Sequence, residues 1–333
     1  MSESLESSPP KFEHQHAGSK GCDLCGSTES VVVAEPSAQS CRVVLCLQCR
    51  LMCVSPPLSP AALDTFYDDT FANDPASVQR VGSDFPEQKD LWKEENLAEN
   101  WGLKIIQRFM EVRGKSILDL RCRSGALSAI LKAQGAEVLG VEPFEANINY
   151  ARERRKLSDV VVLPFSRFDQ FPDPPHGAFD AVNVLAHHVL AHVLSPRILL
   201  AKIFEVLKPG GYIFLDEKDV LRPARHKKKS VLDSGPAHQY HLTLHTTARY
   251  FHSAGFELIE YEIDKYRTSD FRHIRIIGRR PETVRASPQW KDEGPPVEKI
   301  QSRLCWLERT WPIRHASIIT NRKVRKLLRR IGM

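Results

Sequence analysis

Short apolar runs alternate with longer segments of helical periodicity through the middle of this 333-residue sequence. The first run, at 116–120, precedes a turn with Gly125, and apolar residues then recur at helical spacing over 126–134. Further apolar runs follow at 137–141 and 160–163. Buried parallel strands read as continuous apolar runs and require helical crossovers between them. The alternation therefore predicts an α/β fold with a doubly wound, Rossmann-like, mostly parallel sheet.

Later segments extend this predicted sheet and give it an antiparallel edge. Residues 179–185 predict a fourth strand and residues 212–215 a fifth. A Ser-Pro pair at 195 begins the helix between them, because serine is a favoured N-cap and proline a favoured first helical residue. The segments 257–264 and 271–278 have no helix between them, so they predict an antiparallel pair.

Composition and pattern divide the chain into five regions. We expect a disordered polar tail (1–18), a cysteine-rich module (19–57), a helical linker (58–98), the α/β domain (99–280) and a basic tail (281–333). The net charge of +6 is mild and does not by itself indicate a nucleic-acid partner. The start lacks the apolar stretch of a signal peptide, and no run of about 18 apolar residues occurs. We therefore expect a cytoplasmic protein without a transmembrane segment.

Two cysteine pairs, Cys22-x-x-Cys25 and Cys46-x-x-Cys49, are separated by twenty residues. In a chain without an export signal, such pairs indicate metal binding rather than disulfides. Four thiolates are the usual ligand set of tetrahedral structural zinc, and they leave no open position for catalysis. The sequence thus predicts a structural zinc in a small N-terminal zinc ribbon. Two further cysteines nearby have poorer spacing.

The turn after the first strand reads Asp119-Leu-Arg121-Cys-Arg123-Ser-Gly125. Doubly wound sheets bind ligands at the carboxyl ends of their strands, and glycines in this turn let the backbone approach the ligand. The second strand ends in Glu142, roughly 20 residues on, which is the spacing of an acid that accepts hydrogen bonds from ribose hydroxyls. The pattern favours a nucleoside-containing cofactor.

Over residues 99–280 the sequence resembles the class I S-adenosylmethionine-dependent methyltransferases. The resemblance rests on the 119–125 turn, Val-Leu-Gly-Val-Glu-Pro at 138–143, Phe-Asp-Ala-Val at 179–182, His-Val-Leu-Ala-His-Val at 188–193 and Lys-Pro-Gly-Gly at 208–211. It implies S-adenosylmethionine as cofactor. The cofactor-binding residues that it implies are Asp119, Arg121, Gly125, Glu142, Ser166 and Asn183.

Two arginines depart from the pattern of that family. Arg121 and Arg123 stand where the family carries glycine, and backbone strain there costs about 1–3 kcal/mol. Because each 1.4 kcal/mol is about tenfold in affinity, one hypothesis is a catalytically silent binding or scaffold protein. The opposing hypothesis is that one arginine pairs with the cofactor carboxylate or an anionic acceptor. A second departure is that Ser166 or Arg167 occupies the position where the family often has an acid near the adenine.

His192 and His188 are the candidate general bases, because histidine exchanges protons near neutral pH. His192 matches the family's frequent histidine. Ala191 replaces a common glutamate of the metal-dependent members, which disfavours a magnesium mechanism. The N-terminal module, followed by Leu58-Ser-Pro and Phe66-Tyr67, resembles that of methyltransferases acting on sugars and cell-surface glycans. This resemblance implies a small-molecule or glycan-type acceptor. The sugar C-methyltransferases of that group carry a further C-terminal domain for which this chain is too short, so we expect O-methylation or an unknown acceptor.

Basic segments at 222–229 and 322–331 leave other partners open. One alternative is a nucleic-acid-modifying methyltransferase that uses the zinc module and the basic tail for phosphate contacts. Apolar residues recur at helical spacing through 322–331, which predicts a basic amphipathic helix. Such a helix lies on an anionic membrane surface, binds a partner, or packs on the protein.

Overall fold

The structure of the chain is a computed structural model. It describes residues 21–34, 42–70, 95–96, 101–172, 179–185, 188–223, 232, 238–264, 271–283 and 294–310. The predicted N-terminal tail and the predicted basic helix at 322–331 lie outside these residues. So do most of the 58–98 linker and of the 222–229 basic segment.

Eleven strands within the described residues form two sheets. In chain order they are β1 (Ser30–Ala34), β2 (Arg42–Cys46), β3 (Met52–Ser55), β4 (Ser116–Leu120), β5 (Glu137–Glu142), β6 (Val160–Val162), β7 (Phe179–Val184), β8 (Leu207–Pro223), β9 (Tyr240–His241), β10 (Glu257–Asp264) and β11 (Phe271–Arg279). The larger sheet has the order β10-β11-β8-β7-β4-β5-β6. Its members β4 to β8 pair in parallel, and β11 is antiparallel to both β8 and β10. The predicted doubly wound sheet with an antiparallel edge is confirmed.

The α-helices pack around both sheets. They are α1 (Pro60–Thr65), α2 (Leu103–Gln107), α3 (Ala126–Ala133), α4 (Glu145–Arg155), α5 (Pro196–Val206), α6 (Leu244–Ser253) and α7 (Val297–Arg309). The Ser195 hydroxyl accepts a hydrogen bond from the Ile198 N–H, so the predicted N-cap of α5 is present. Among these helices, none has the length and apolarity that crossing a bilayer requires.

Strand β8 is much longer than its predicted core of 212–215. It starts directly after α5 and runs for 17 residues. The antiparallel neighbour β11 pairs with it from Tyr212 to Lys218, and Gly210 donates a backbone hydrogen bond to Arg280 just before that stretch. The sequence pattern reports only the apolar centre of the strand, because the flanking polar residues owe their extended form to this pairing.

The small sheet joins the cysteine-rich module to the α/β domain. Its order is β1-β2-β3-β9, and β9 comes from the α/β region. The Asp23 carboxylate accepts hydrogen bonds from the hydroxyls of Ser195, at 2.5 Å, and Tyr250, at 2.8 Å. Leu24 and Leu51 belong to the same buried cluster as residues of α5 and the large sheet. The predicted module at 19–57 therefore shares its sheet and its core with the domain that follows.

Helix α7 packs against the other part of the small sheet. Its residues Ile300 and Leu304 are buried in a cluster with Val43, Met52 and Val220. Local composition placed this segment in a basic tail and predicted no helix there. Long-range packing stabilises α7, which explains why a reading of local composition missed it.

Candidate functional site

The order of the large sheet creates a crevice at β4. From β4 the chain proceeds outward through β5 and β6, and then returns to the other side of β4 to form β7. In open α/β sheets, ligands bind at this switch point, outside the carboxyl ends of the strands. Asp119 of β4, Glu142 of β5 and Asn183 of β7 all lie at or next to these strand ends. The structure thus brings together three of the predicted cofactor-binding residues.

Asp119 is held by two buried donors. Its carboxylate accepts a 2.6 Å hydrogen bond from the Ser128 hydroxyl and a 2.7 Å hydrogen bond from the Asn183 side-chain amide. The Asn183 Oδ1 atom is buried and has no hydrogen-bond partner. Because a buried polar atom without a partner is costly, this oxygen is positioned for a ligand that donates.

Glu142 is almost fully buried beside the same turn. Its two carboxylate oxygens accept hydrogen bonds from the Asn147 side chain, at 2.8 Å, and from the Arg123 backbone N–H, at 3.1 Å. Burial raises the pKa of Glu142, and the positive charge of Arg121 opposes that rise. The acid therefore lies in a site that favours a nearby cation.

The two arginines of the turn adopt backbone conformations that favour glycine. Arg121 has a φ of 60°, Arg123 has a φ of 53°, and Gly125 has a φ of 77°. The Arg121 guanidinium lies 5.3 Å from the centre of the Phe165 ring. Burial lowers the pKa of Arg121, while the nearby charge of Glu142 acts in the opposite direction. The Arg121 side chain thus extends into the crevice between Glu142 and Phe165.

An aromatic group packs beside Arg121, and part of it comes from outside the α/β domain. Tyr67 follows α1, and its ring centre lies 4.7 Å from that of Phe165 and 6.0 Å from that of Phe144. The Tyr67 hydroxyl and His192 Nδ1 are hydrogen-bonded at 2.6 Å. His192 is 7% exposed, and its ring stacks on Phe165 at 5.3 Å.

Ser166 has an acidic partner that the sequence pattern did not reveal. Its hydroxyl donates a 2.7 Å hydrogen bond to Oδ2 of Asp64, a residue of α1. The Asp64 Oδ1 atom is buried without a hydrogen-bond partner. An acid two residues before the Phe66-Tyr67 pair was the available signal, and only the fold shows that it reaches Ser166.

The two candidate bases lie in different surroundings. Whereas His192 contacts Tyr67 and Phe165, the ring of His188 lies 4.8 Å from that of His273. His273 Nδ1 is 2.8 Å from a carboxylate oxygen of Asp216. His188 also has a left-handed backbone, with a φ of 53°. No sequence pattern pointed to Asp216 or His273.

The four cysteines of the two pairs converge on one point. The Sγ atoms of Cys22 and Cys49 are 3.4 Å apart, and those of Cys25 and Cys46 are 3.6 Å apart. All four lie within 4.8 Å of one another, and none of the four is in a disulfide. Tetrahedral zinc with Zn–S bonds of about 2.3 Å separates its sulfur ligands by roughly 3.8 Å. The cluster therefore fits a zinc ion.

A methyltransferase domain family matches residues 94–261, which is half of the chain. The chain belongs to this family. Its fold and the family match identify it as a class I S-adenosylmethionine-dependent methyltransferase, as the sequence resemblance implied.

Curated relatives of this methyltransferase include two O-methyltransferases. The ubiquinone biosynthesis O-methyltransferase of Pseudomonas paraeruginosa is 31% identical over 118 residues, which cover 35% of this chain and 48% of the relative. The mitochondrial enzyme of that name from Mus musculus is 31% identical over 106 residues, covering 31% of this chain and 28% of the relative. The chain thus spans half or less of the length of these relatives.

Solved structures with a similar fold include two bacterial methyltransferases. One is an S-adenosylmethionine-dependent methyltransferase from Mesorhizobium loti, with 20% identity and a TM-score of 0.44, covering 56% of this chain and 100% of that one. The other is the N-methyltransferase NodS from Bradyrhizobium japonicum, with 15% identity and a TM-score of 0.43, covering 57% and 99%.

The crevice of this methyltransferase suits the cofactor of its family in hydrogen bonding and in charge. It presents unpartnered acceptors at Asn183 and Asp64 and a buried carboxylate at Glu142. S-adenosylmethionine carries an ammonium, two ribose hydroxyls and an adenine amino group, all of which donate, and its sulfonium is positive. The exception to this fit is Arg121, whose own positive charge lies among these acceptors.

Proposed function

We propose that this protein transfers a methyl group from S-adenosylmethionine to a hydroxyl of a small-molecule or glycan-type acceptor. The observation that carries the proposal is the set of acceptors that line the crevice, among which the Oδ1 atoms of Asn183 and Asp64 are buried without a hydrogen-bond partner.

Three parts of the crevice would hold three parts of the cofactor. Glu142, at the end of β5, would accept hydrogen bonds from the ribose hydroxyls. Asn183 and the turn between Asp119 and Gly125 would contact the methionine portion, where the unpartnered Asn183 oxygen accepts from the ammonium. Asp64, through its unpartnered Oδ1, would accept from the adenine amino group and so replace the acid that the family carries near position 166.

The Arg121 side chain would compete with the cofactor for the space beside Glu142. Its guanidinium lies near Glu142, where the positive charge is favoured in the absence of a ligand. Arginine has a long side chain with many rotamers, so moving it out of the crevice requires no backbone rearrangement. The cost of separating Arg121 from Glu142 would weaken cofactor binding relative to that of glycine-bearing relatives.

His192 would serve as the general base. The bound cofactor supplies a methyl group on a positive sulfur, and much of the catalysis of such an in-line displacement is positioning. When Nδ1–H of His192 donates to the Tyr67 hydroxyl, Nε2 carries the lone pair that would accept the proton of the acceptor hydroxyl. Burial raises the pKa of Tyr67, so its hydroxyl stays neutral and holds the imidazole in this orientation.

The choice of oxygen as methyl acceptor is supported by two observations. The curated relatives at about 30% identity are named O-methyltransferases. A histidine base beside the crevice suits a hydroxyl, which must lose its proton during transfer. The four-cysteine cluster would bind zinc as a structural ion, since four thiolates leave no coordination position for the acceptor.

Titration calorimetry with S-adenosylhomocysteine, the demethylated product, tests the cofactor site. We expect saturable binding to the wild-type chain, and at least tenfold weaker binding to Glu142→Ala, because a buried charged hydrogen bond contributes about 1.5–3 kcal/mol. Glu145→Ala, at an exposed position one turn further along, is the matched control and should bind like wild type. The absence of heat at millimolar ligand would contradict the proposal.

A second candidate function is a catalytically silent binding or scaffold protein. The position of Arg121 among Glu142, Tyr67 and Phe165 is the observation that favours it. A wild-type chain that binds no cofactor, together with an Arg121→Gly/Arg123→Gly variant that does, would establish this alternative. The nucleic-acid alternative depends on the basic tail and on a basic segment that lie largely outside the described residues, so it stays a prediction.

A further inference from the structure

The cluster of His188, Asp216 and His273 has no role in the function proposed above. One nitrogen of each imidazole and one carboxylate oxygen lie within 4.8 Å of one another. Asp216 and His273 are almost fully buried, with 0% and 3% exposure, and His188 is half-buried. We propose that these three side chains form a second metal site, which binds a divalent transition-metal ion. The inference does not depend on cofactor binding.

The fold explains why the three side chains meet. In the pairing of β8 with β11, Asp216 lies opposite Arg275 and Lys218 lies opposite His273. Asp216 and His273 are therefore diagonal neighbours on one face of the sheet, close enough for their side chains to touch. His188 reaches the same face from the segment that follows β7, the parallel neighbour of β8.

The donor set selects the class of metal. Two imidazoles and one carboxylate suit zinc, iron, cobalt or manganese better than magnesium, which prefers oxygen ligands. Three protein ligands also leave coordination positions open for water or a ligand, unlike the four thiolates of the cysteine cluster. The site therefore differs in chemistry from the magnesium mechanism that Ala191 disfavours.

Two charged neighbours of the cluster are compatible with a bound cation. Arg275, on the same face as Asp216, directs its guanidinium to Glu260, at 3.2 Å, and to Glu262. Glu217, the neighbour of Asp216, accepts a hydrogen bond from the Leu190 N–H at 2.7 Å. On metal binding, the hydrogen bond between His273 Nδ1 and the Asp216 carboxylate would be replaced by bonds from both groups to the ion.

Cobalt titration of the zinc-loaded, full-length chain tests the inference. We expect one equivalent of Co²⁺ to bind beyond the zinc, with visible d–d absorption but without the near-ultraviolet charge-transfer band of a cobalt thiolate. A band of that kind would show that cobalt had entered the cysteine cluster instead. If no Co²⁺ bound to the zinc-loaded chain, the residues would form only a hydrogen-bonded His–Asp pair with a stacked histidine. This result would overturn the proposal.

Two variants assign the site to these residues. His188→Asn keeps a residue that tolerates a left-handed backbone, and Asp216→Asn keeps the shape of the side chain while removing its charge. Each should weaken Co²⁺ binding by at least tenfold, since even outer partners of a metal ligand contribute about 10–100-fold in affinity. His252→Asn, on α6, is the matched control and should bind like wild type. Variants that retain wild-type affinity, with circular dichroism confirming their fold, would contradict the assignment.

Discussion

Two turns of this molecule place an arginine in a left-handed backbone, with different consequences. In the cysteine module, Arg50 follows Cys49 with a φ of 67°, and its side chain donates to the Pro295 carbonyl outside the cluster. In the cofactor turn, Arg121 has a φ of 60°, and its side chain extends into the crevice. The backbone strain is similar at both positions. What matters for function is therefore where the side chain goes, and only Arg121 lies in the way of a ligand.

The largest change in stability is expected in the cysteine module, because its turns are proposed to hold a metal. Cys49→Ser should lose the zinc and reduce the free energy of unfolding by at least about 4 kcal/mol, since binding of a structural zinc contributes directly to folding. Cys53→Ser, a half-buried thiol outside the four-cysteine cluster, is the control. Elemental analysis and thermal unfolding measure both effects. Equal stability and metal content of the two variants would contradict the zinc assignment.

Strand β9, which joins the cysteine module to the α/β domain, contains a histidine that should make folding stability depend on pH. His241 of β9 is fully buried, and burial lowers its pKa to about 4. In the unfolded chain its pKa is about 6.5, so the unfolded state takes up a proton first as the pH falls. His241 should therefore cost the fold about 3 kcal/mol between pH 6.5 and pH 4, with no effect above that window.

Denaturant unfolding at several pH values isolates the contribution of His241. A His241→Asn variant should lose less stability than wild type as the pH falls from 6.5 to 4. Identical slopes in the two proteins would show that His241 is protonated inside the fold, contrary to the burial argument.

Replacing the arginines of the cofactor turn tests whether the position of the side chain controls cofactor affinity. Arg121→Gly/Arg123→Gly should bind S-adenosylmethionine about 10–100-fold more tightly than wild type, because it removes the guanidinium that competes for the crevice, and each 1.4 kcal/mol is about tenfold in affinity. Arg50→Gly relieves the same kind of strain far from the crevice, and its cofactor affinity should equal that of wild type. Calorimetry on the three proteins gives the answer. A similar gain in Arg50→Gly would mean that strain, rather than the position of the side chain, controls binding.

The smallest change in cofactor affinity is expected on replacing Asp64. Asp64→Asn keeps a hydrogen bond to Ser166 but weakens the acceptor offered to the adenine, so affinity should fall by about three- to tenfold, the equivalent of roughly 0.5–1.5 kcal/mol. Asp68→Asn, an exposed acid one turn further along, is the matched control. If S-adenosylhomocysteine bound both variants equally, Asp64 would have no part in the cofactor site.

Local sequence determines the elements that were predicted correctly. The apolar run of β4, the Ser-Pro start of α5 and the missing helix between β10 and β11 are features of neighbouring residues. The approach of Glu142 to the cofactor turn also follows from spacing, because both belong to one β-α-β unit. The cysteine pairs also converge as predicted, because β1 and β2 form a hairpin that returns the chain to the first pair.

Residues that meet through long-range packing were not predictable in this way. Asp64 and Ser166 are 102 positions apart, and Asp216 and His273 are 57 apart. No pattern within either segment signals the other, so only the packing of α1 and the pairing of β8 with β11 reveal them. The burial of α7 on the small sheet and the addition of β9 to that sheet have the same origin.

A crystal structure of the chain grown with millimolar S-adenosylhomocysteine shows whether the crevice binds the cofactor. We expect the ligand to occupy the crevice, its ribose hydroxyls to lie within hydrogen-bond distance of Glu142, and the Arg121 guanidinium to have left the Phe165 ring. An empty crevice with Arg121 still between Glu142 and Phe165 would contradict this expectation, and would leave the chain with the fold of a methyltransferase but without its cofactor.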